Sequence, residues 1–287
     1  MDYLKPATLS EALDVLAEGR HVRCIAYAGG TDVIPRLKAR AINPPQVLVD
    51  LKGIRELDFI SCDARSGLRI GALATISSVL GSESVRHKYP ALFQGAASIA
   101  STHIQNRATL IGNICSAVPS ADSAPSLLCL GAQVVCLSKA GERTIELGQF
   151  FLGPNRTSLG QAEIVKEICV PPVVAGTRGA YLKLSPRSRM DLAVVGVATV
   201  VRKDQDAFGD IRIGLGAVAP TPVRATKAEQ RLRGEAINNE GIREAARLAA
   251  QEAEPIDDHR ASAAYRRMMV EVLVNRAIRQ ALSIGDQ

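Results

Sequence analysis

Behind Thr8-Leu9-Ser10-Glu11, a capping box in which hydroxyl and carboxylate satisfy the first free amides, the apolar positions Leu9, Leu13 and Leu16 recur at helical spacing, and Gly19 offers a stop. The pattern then changes. Cys24-Ile25-Ala26-Tyr27-Ala28 is a continuous apolar run that enters Gly29-Gly30, and residues 46–51 (QVLVDL) follow a break at Pro44-Pro45, so both predict buried strands. These elements make a small α/β unit ending near Leu57. A second strand-led section opens at residues 68–73 and continues through a small-residue helix near 93–99, a polar Gly/Asn turn at 109–113, an apolar helix beyond Pro119, and strands at 133–137 and 164–170. Pro171-Pro172 and Gly176 read as a linker. Beyond it, the runs 179–184, 193–201 and 211–217 predict an antiparallel meander. Two helices close the chain, one near 242–253 and one carrying Tyr265, Met268, Met269 and Val272 as its core stripe. The divisions expected are therefore 1–57, 58–175 and 176–287.

At 287 residues the chain is long enough for two or three modest cores, and 47% hydrophobic against 22% charged residues excludes a disordered protein. The net charge of +6 raises the question of nucleic acid. Its cations are interleaved with acids, as in Arg231-Leu232-Arg233-Gly234-Glu235, and with no Trp and 3% aromatic residues there is no stacking platform, so no nucleic-acid partner is expected. No uncharged run of ~18 residues predicts a membrane span, and Met1–Leu4 lacks a basic stretch leading into an apolar one, which points to the cytoplasm. The six cysteines are scattered without a C-x-x-C pair and read as reduced side chains packed in strands. His21, His87, His103 and His259 show no ligand spacing, so neither a metal site nor a catalytic acid, base or nucleophile is expected.

Two segments carry candidate chemistry. Tyr27-Ala28-Gly29-Gly30-Thr31-Asp32-Val33 leaves a strand through two glycines, whose freedom at positive φ lets successive N–H groups form a nest for phosphate oxygens, with the Thr31 hydroxyl as a further donor. The same heptapeptide also suits a sharp strand-ending turn in which Asp32 caps the next helix. Thr109-Leu110-Ile111-Gly112-Asn113 supplies two hydrogen-bonding side chains beside a glycine, and Asp122 can accept from ribose or ribityl hydroxyls. Two such segments, about one domain apart, suit a long diphosphate cofactor lying in a crevice between lobes.

These landmarks resemble the FAD-binding medium subunits of molybdenum hydroxylases, the family of carbon monoxide dehydrogenase, bacterial xanthine dehydrogenase and 4-hydroxybenzoyl-CoA reductase. The resemblance spans nearly the whole chain: AGGTD at 28–32, NRATLIGN at 106–113, PSADSAP at 119–125, EIVKEI at 163–168, Lys183, MDLAVV at 190–195 and Tyr265-Arg266-Arg267 before an apolar helix. It implies an α+β protein in which two α/β lobes clasp FAD in the PCMH-type FAD-binding fold, followed by a C-terminal lobe of a three-stranded antiparallel sheet with helices. The segments 27–33 and 109–113 would bind the diphosphate and neighbouring parts of FAD, Asp122 its polyol or ribose, Val165 its ring systems, and Lys183 the neighbourhood of the isoalloxazine. Taken without the resemblance, Lys183 is a solvated strand lysine. One departure stands out: the family usually has two glycines in the second loop, and this chain has the β-branched Ile111 at one of them. The cysteine-rich insertion of the 4-hydroxybenzoyl-CoA reductase is also missing, so no additional iron–sulfur cluster is expected.

The resemblance further implies an oxidoreductase subunit whose FAD relays electrons from [2Fe-2S] clusters on a small partner subunit, with the molybdenum cofactor and the substrate on a large one, the whole forming a dimer of heterotrimers. The alternatives are a self-contained FAD-dependent oxidase or reductase, for which residues 176–287 leave little room, and a non-enzymatic nucleotide-binding module. Neither the substrate nor the final acceptor among NAD, oxygen, quinone and ferredoxin is encoded in these features. Gly29 and Gly30 are expected to tolerate substitution worse than a Gly-rich turn at Gly214 and Gly216.

Overall fold

A computed structural model of the chain describes residues 1–18, 23–187 and 190–284; Gly19, expected to stop the first helix, and His21 lie outside them. Strands β1 (Asp2–Leu4), β2 (Cys24–Tyr27) and β3 (Val47–Asp50) form a parallel sheet in the order β1-β3-β2. The helix Leu9–Glu18 crosses from β1 to β2 and buries Ala12, Leu13 and Leu16. Its cap departs slightly from the expected box: Glu11 N donates to Thr8 Oγ1 at 3.2 Å, while the Glu11 carboxylate accepts from Ala7 rather than Thr8. Central β3 is largely buried. All four residues of β2, expected to be buried, are instead half-exposed, because β2 is an edge strand and lines a cleft.

The second sheet is antiparallel. Strands β4 (Ile60–Asp63), β5 (Gly67–Gly71), β6 (Gln133–Ser138) and β7 (Gly141–Glu146) are followed by the short hairpin β8 (Phe151–Gly153) and β9 (Arg156–Thr157), and then by β10 (Ile164–Val170). The order β4-β5-β10-β6-β7 places β10 at the centre, where Ile168 pairs with Ile70 on one side and Val134 on the other. A bulge between Val165 and Glu167 interrupts the ladder, and Lys166 O accepts from Ala72 N at 2.9 Å. Glu167 is buried yet satisfied by a bidentate pair with Arg69, both contacts at 2.7 Å. Both N-terminal sheets share one apolar core, in which Leu16 and Val49 join Ile70, Ile168 and Leu127.

The meander follows as β11 (Thr177–Leu184), β12 (Val195–Asp204) and β13 (Ala207–Gly216), with a two-residue β14 (Val223–Arg224) added at the edge. Helices Thr226–Leu232, Asn239–Glu252 and Ala263–Leu282 enclose a separate core around Val197, Ile213, Val274 and Ile278. The last helix corrects an expectation. Tyr265 and Met268 are exposed, and the buried stripe is Val270, Leu273, Val274, Ala277 and Ile278. The register is set by Arg266, which is 3% exposed and donates to Val194 O at 2.7 Å, Ala217 O at 3.0 Å and Asp258 Oδ1 at 2.8 Å. Gly214 and Gly216 likewise do not form a turn. They end β13 against the helix Ala124–Cys129, where a Cβ on Gly214 would lie 2.4 Å from Pro125 O. None of the six cysteines is in a disulfide; four lie in strands, but Cys115 and Cys129 lie in helices. Among the described residues no helix is long and apolar enough to cross a membrane.

Candidate functional site

A cleft of about 810 Å³, within the ~300–1,000 Å³ range of cofactor pockets, opens where the end of β2, the helix Leu110–Cys115, the start of β10 and residues 190–192 converge. It gathers what the sequence scattered: Tyr27, Ala28, Gly29, Gly30, Thr31, Asp32 and Val33 line it, and so do Thr109, Ile111, Gly112, Asn113, Asp122 and Val165. Leu110 does not reach it and is fully buried in the core. Lys183 stands behind Asp122 instead of on the wall.

The first loop owes its shape to two glycines acting differently. A Cβ on Gly29 would lie 1.9 Å from Arg107 O and 2.7 Å from its carbonyl carbon, so the two loops touch backbone to backbone and only glycine permits it. Gly30 has φ +75°, the left-handed conformation that glycine adopts without strain. Among the described residues, the amides of Gly29, Gly30, Thr31 and Asp32 find no protein acceptor. Four successive N–H groups on a cleft wall, with no side chain at the first two, are the donor set an anionic diphosphate requires. The loop is braced from behind: Lys52 Nζ donates to Ala28 O at 3.2 Å, pairs with Asp50 at 2.7 Å and lies 4.0 Å from the Tyr27 ring centroid. Burial would raise the Asp50 carboxyl, but hydrogen bonds from Lys52 and Tyr3 more than reverse this and hold it below its ordinary value. Asp32 occupies the N-cap position of the following helix, its carbonyl accepting from Arg36 N at 3.2 Å, but its side chain does not cap it. Its carboxylate pairs with Arg36 at 3.3 Å and makes no bond to the helix amides.

The second segment is not a turn, as its composition suggested, but a helix start. Thr109 is the N-cap of Leu110–Cys115, its Oγ1 accepting from Gly112 N at 3.0 Å, and Leu110 N and Ala108 O are stitched to Ala74 O and Ile76 N. Ile111 therefore sits in helical backbone with no positive φ, so the position makes no demand that glycine alone could meet. Asn113 Oδ1 accepts from Ser123 Oγ at 2.6 Å. Asp122, 7% exposed, accepts from Tyr181 OH at 2.7 Å and from Lys183 Nζ at 2.7 Å, while Lys183 also donates to Ser98 O. Lys183 is thus no solvated lysine. Burial pushes the Asp122 carboxyl above its ordinary value, with Lys183 and Tyr181 pulling the other way.

Sequence reasoning gave no site role to other parts of the wall: Asn155 and Leu159, from a connecting segment without a pattern, and Met190 and Leu192, which open the MDLAVV landmark. Cys115, whose closeness in sequence to the second segment raises the question of covalent attachment, does line the cleft. Its sulfur is enclosed although the residue retains some surface, and burial pushes the thiol up to about 12, so it stays protonated and unreactive near neutral pH. Among the described residues no cluster of His, Cys, Asp or Glu is suited to a metal. The free amides, the glycine contact and the apolar wall at Ile164 and Val165 together fit FAD.

Comparison with known proteins agrees in both halves of the chain. Residues 1–173 match the family described as the FAD binding domain in molybdopterin dehydrogenase, and residues 180–281 the CO dehydrogenase flavoprotein C-terminal domain. The glyceraldehyde dehydrogenase medium chain of Sulfolobus acidocaldarius is 31% identical, covering 97% of each chain. The carbon monoxide dehydrogenase medium chain of Hydrogenophaga pseudoflava is 34% identical over 98% of this chain and 96% of that one. The solved structure of carbon monoxide dehydrogenase from the same organism superposes with a TM-score of 0.94, covering 99% of this chain and 97% of that one, at 34% identity.

Proposed function

The chain belongs to the FAD-binding medium subunits of the molybdenum hydroxylases, and from that membership we propose that it is the relay of a three-subunit assembly, carrying electrons from iron–sulfur clusters on a small partner to an external acceptor. It is an oxidoreductase subunit with FAD as its cofactor. The observation that carries the site is the row of amides at Gly29–Asp32, which find no acceptor among the described residues, with Gly29 pressed against Arg107. In this reading those amides and the Thr31 hydroxyl donate to the diphosphate, and Thr109 and Asn113 orient the neighbouring part of the cofactor. Asp122 accepts from a polyol or ribose hydroxyl, Lys183 offsets part of the effect of burial on that carboxylate, and Ile164 and Val165 exclude water from the ring. FAD, when bound, supplies the capacity to take up two electrons and hand them on. The protein's own part is binding, orientation and electrostatics.

The domain division follows the same reading: 1–57 and 58–175 hold the cofactor between them, and 176–287 forms the C-terminal lobe. The relatives with similar identity carry names with different substrates, glyceraldehyde and carbon monoxide, which supports a substrate site on a large molybdenum subunit. The purified chain alone is therefore expected to show a flavin that dithionite reduces, yet to hydroxylate nothing until the large and small subunits are added. Turnover of an aldehyde or N-heterocycle by the chain alone would establish a self-contained flavoenzyme instead.

The attachment is expected to be non-covalent, since burial raises the thiols of both cysteines on the cleft wall, Cys24 and Cys115, and so holds them protonated. Acid precipitation should leave the flavin in the supernatant. Yellow colour remaining in the washed pellet would contradict this.

A further inference from the structure

The C-terminal sheet reaches the cofactor cleft through Tyr181. On β11 it is 5% exposed; its amide donates to Gln94 Oε1 at 2.8 Å and its hydroxyl to Asp122 Oδ1 at 2.7 Å. Lys183, two residues on and so on the same face of the strand, takes Asp122 Oδ2 at 2.7 Å. Each oxygen of the carboxylate thus has its own donor. The group cannot rotate about its Cβ–Cγ bond without losing one of them.

The neighbouring strand shows the space this requires. Gly196 faces Lys183 across the β11–β12 ladder, and a Cβ there would lie 2.7 Å from Tyr181 OH and 3.4 Å from Cζ. Gly196 has no positive φ, so its backbone does not ask for glycine; the phenol does. Burial, reinforced by the Asp122 charge, raises the Tyr181 hydroxyl well above its ordinary value and keeps it a donor throughout the working pH range.

We propose that Tyr181 is a positioning residue for FAD: by donating to Oδ1 it fixes the plane of the Asp122 carboxylate so that its remaining lone pairs accept a polyol or ribose hydroxyl, and Gly196 preserves the room for that hydroxyl. The proposal rests on the reading that Asp122 touches the cofactor, and the test separates the two. The full chain is stripped of flavin and titrated with FAD by fluorescence quenching, with circular dichroism as the control for folding. Tyr181→Phe is expected to raise the Kd about tenfold, the scale of one hydrogen bond to a charged group. Gly196→Ala should weaken binding similarly by displacing the phenol, and the double variant Gly196→Ala/Tyr181→Phe should bind no worse than Tyr181→Phe alone. In an Asp122→Ala background, which leaves Tyr181 no acceptor there, Tyr181→Phe should cost nothing more. A Tyr181→Phe loss that persists undiminished in that background, or a wild-type Kd for Tyr181→Phe itself, overturns the positioning role alone. An Asp122→Ala chain that binds FAD like wild type removes Asp122 from the cofactor and the proposal with it. Should Gly196→Ala fail to fold, the Tyr181 and Asp122 pair still decides.

Discussion

Gly29→Ala is expected to give a folded protein that purifies nearly free of flavin. The added carbon would lie 1.9 Å from Arg107 O, so one of the two cleft-lining segments must retreat. A displacement of ~1 Å where several groups converge on one ligand costs about a hundredfold, and the Kd for FAD should rise by about that factor. Gly30→Ala meets a different obstacle. Its φ of +75° strains any other residue by about 1 kcal/mol, which predicts a loss of roughly fivefold. Gly81→Ala, with open space around it and no unusual φ, is the neutral reference, a role that Gly214 and Gly216 cannot fill because both are packed against Pro125. The measurement is flavin absorbance per folded protein, with far-UV circular dichroism alongside. Flavin retained by Gly29→Ala at the wild-type level would refute the contact's part in binding.

Arg266→Leu should produce the largest loss of stability outside the cleft. The guanidinium ties Asp258 and the carbonyls of Val194 and Ala217 to the last helix, and leaving such groups buried without their partner costs about 3–5 kcal/mol. For a chain of this size that corresponds to a fall in Tm of roughly 10 °C. The same network gives a pH signature. Against the effect of burial, amides of Arg260 and Ala261 and the Arg266 side chain hold the Asp258 carboxyl at about 2, below its ordinary 3.8. A carboxyl depressed in the folded state stabilises fully above its unfolded value and loses that contribution as pH falls from about 4 through about 2. Thermal melts from pH 7 to 2 should therefore converge for wild type and an Asp258→Asn variant at the acid end. Parallel curves, or an Arg266→Leu midpoint unchanged at pH 7, would argue against this account.

Much of the architecture could be read from the residues because local signals and tertiary structure agreed. Thr8 and Glu11 cap the first helix, Ile164–Val170 reads as a buried strand and is the centre of its sheet, and the three runs after the linker form the meander. The failures have physical causes. Strand β1 has three exposed residues and no alternation to detect. The last helix was rotated because Arg266, a charge at a core position, is satisfied by carbonyls and an aspartate that no periodicity reveals. Gly112 and Asn113 suggested a turn, while the hydroxyl of Thr109 and the contacts to Ala74 and Ile76 start a helix there. In the cleft, the loops themselves were legible from their glycines. The carboxylate's partner Tyr181 lies 59 residues beyond Asp122, and no local sequence pattern announces such a pairing.

The central position of β10 also sets an order of events on the ribosome. Residues 67–71 can pair with 60–63, and 133–138 with 141–146, as they emerge, but the two pairs are joined only by 164–170, so the five-stranded sheet closes only when more than half of the polypeptide has been made. Such distant pairing folds slowly, and until it is complete the nascent chain presents unpaired strand edges. Tyr181 and Gly196 follow later still, after the linker. The cleft wall, which includes Ile164 and Val165 beside the earlier segments, is complete only after that closure, and the energy of binding FAD then shifts the chain toward the native state. In cells short of riboflavin, the expected result is a larger pool of subunit open to proteolysis, with its amount rising when flavin is restored.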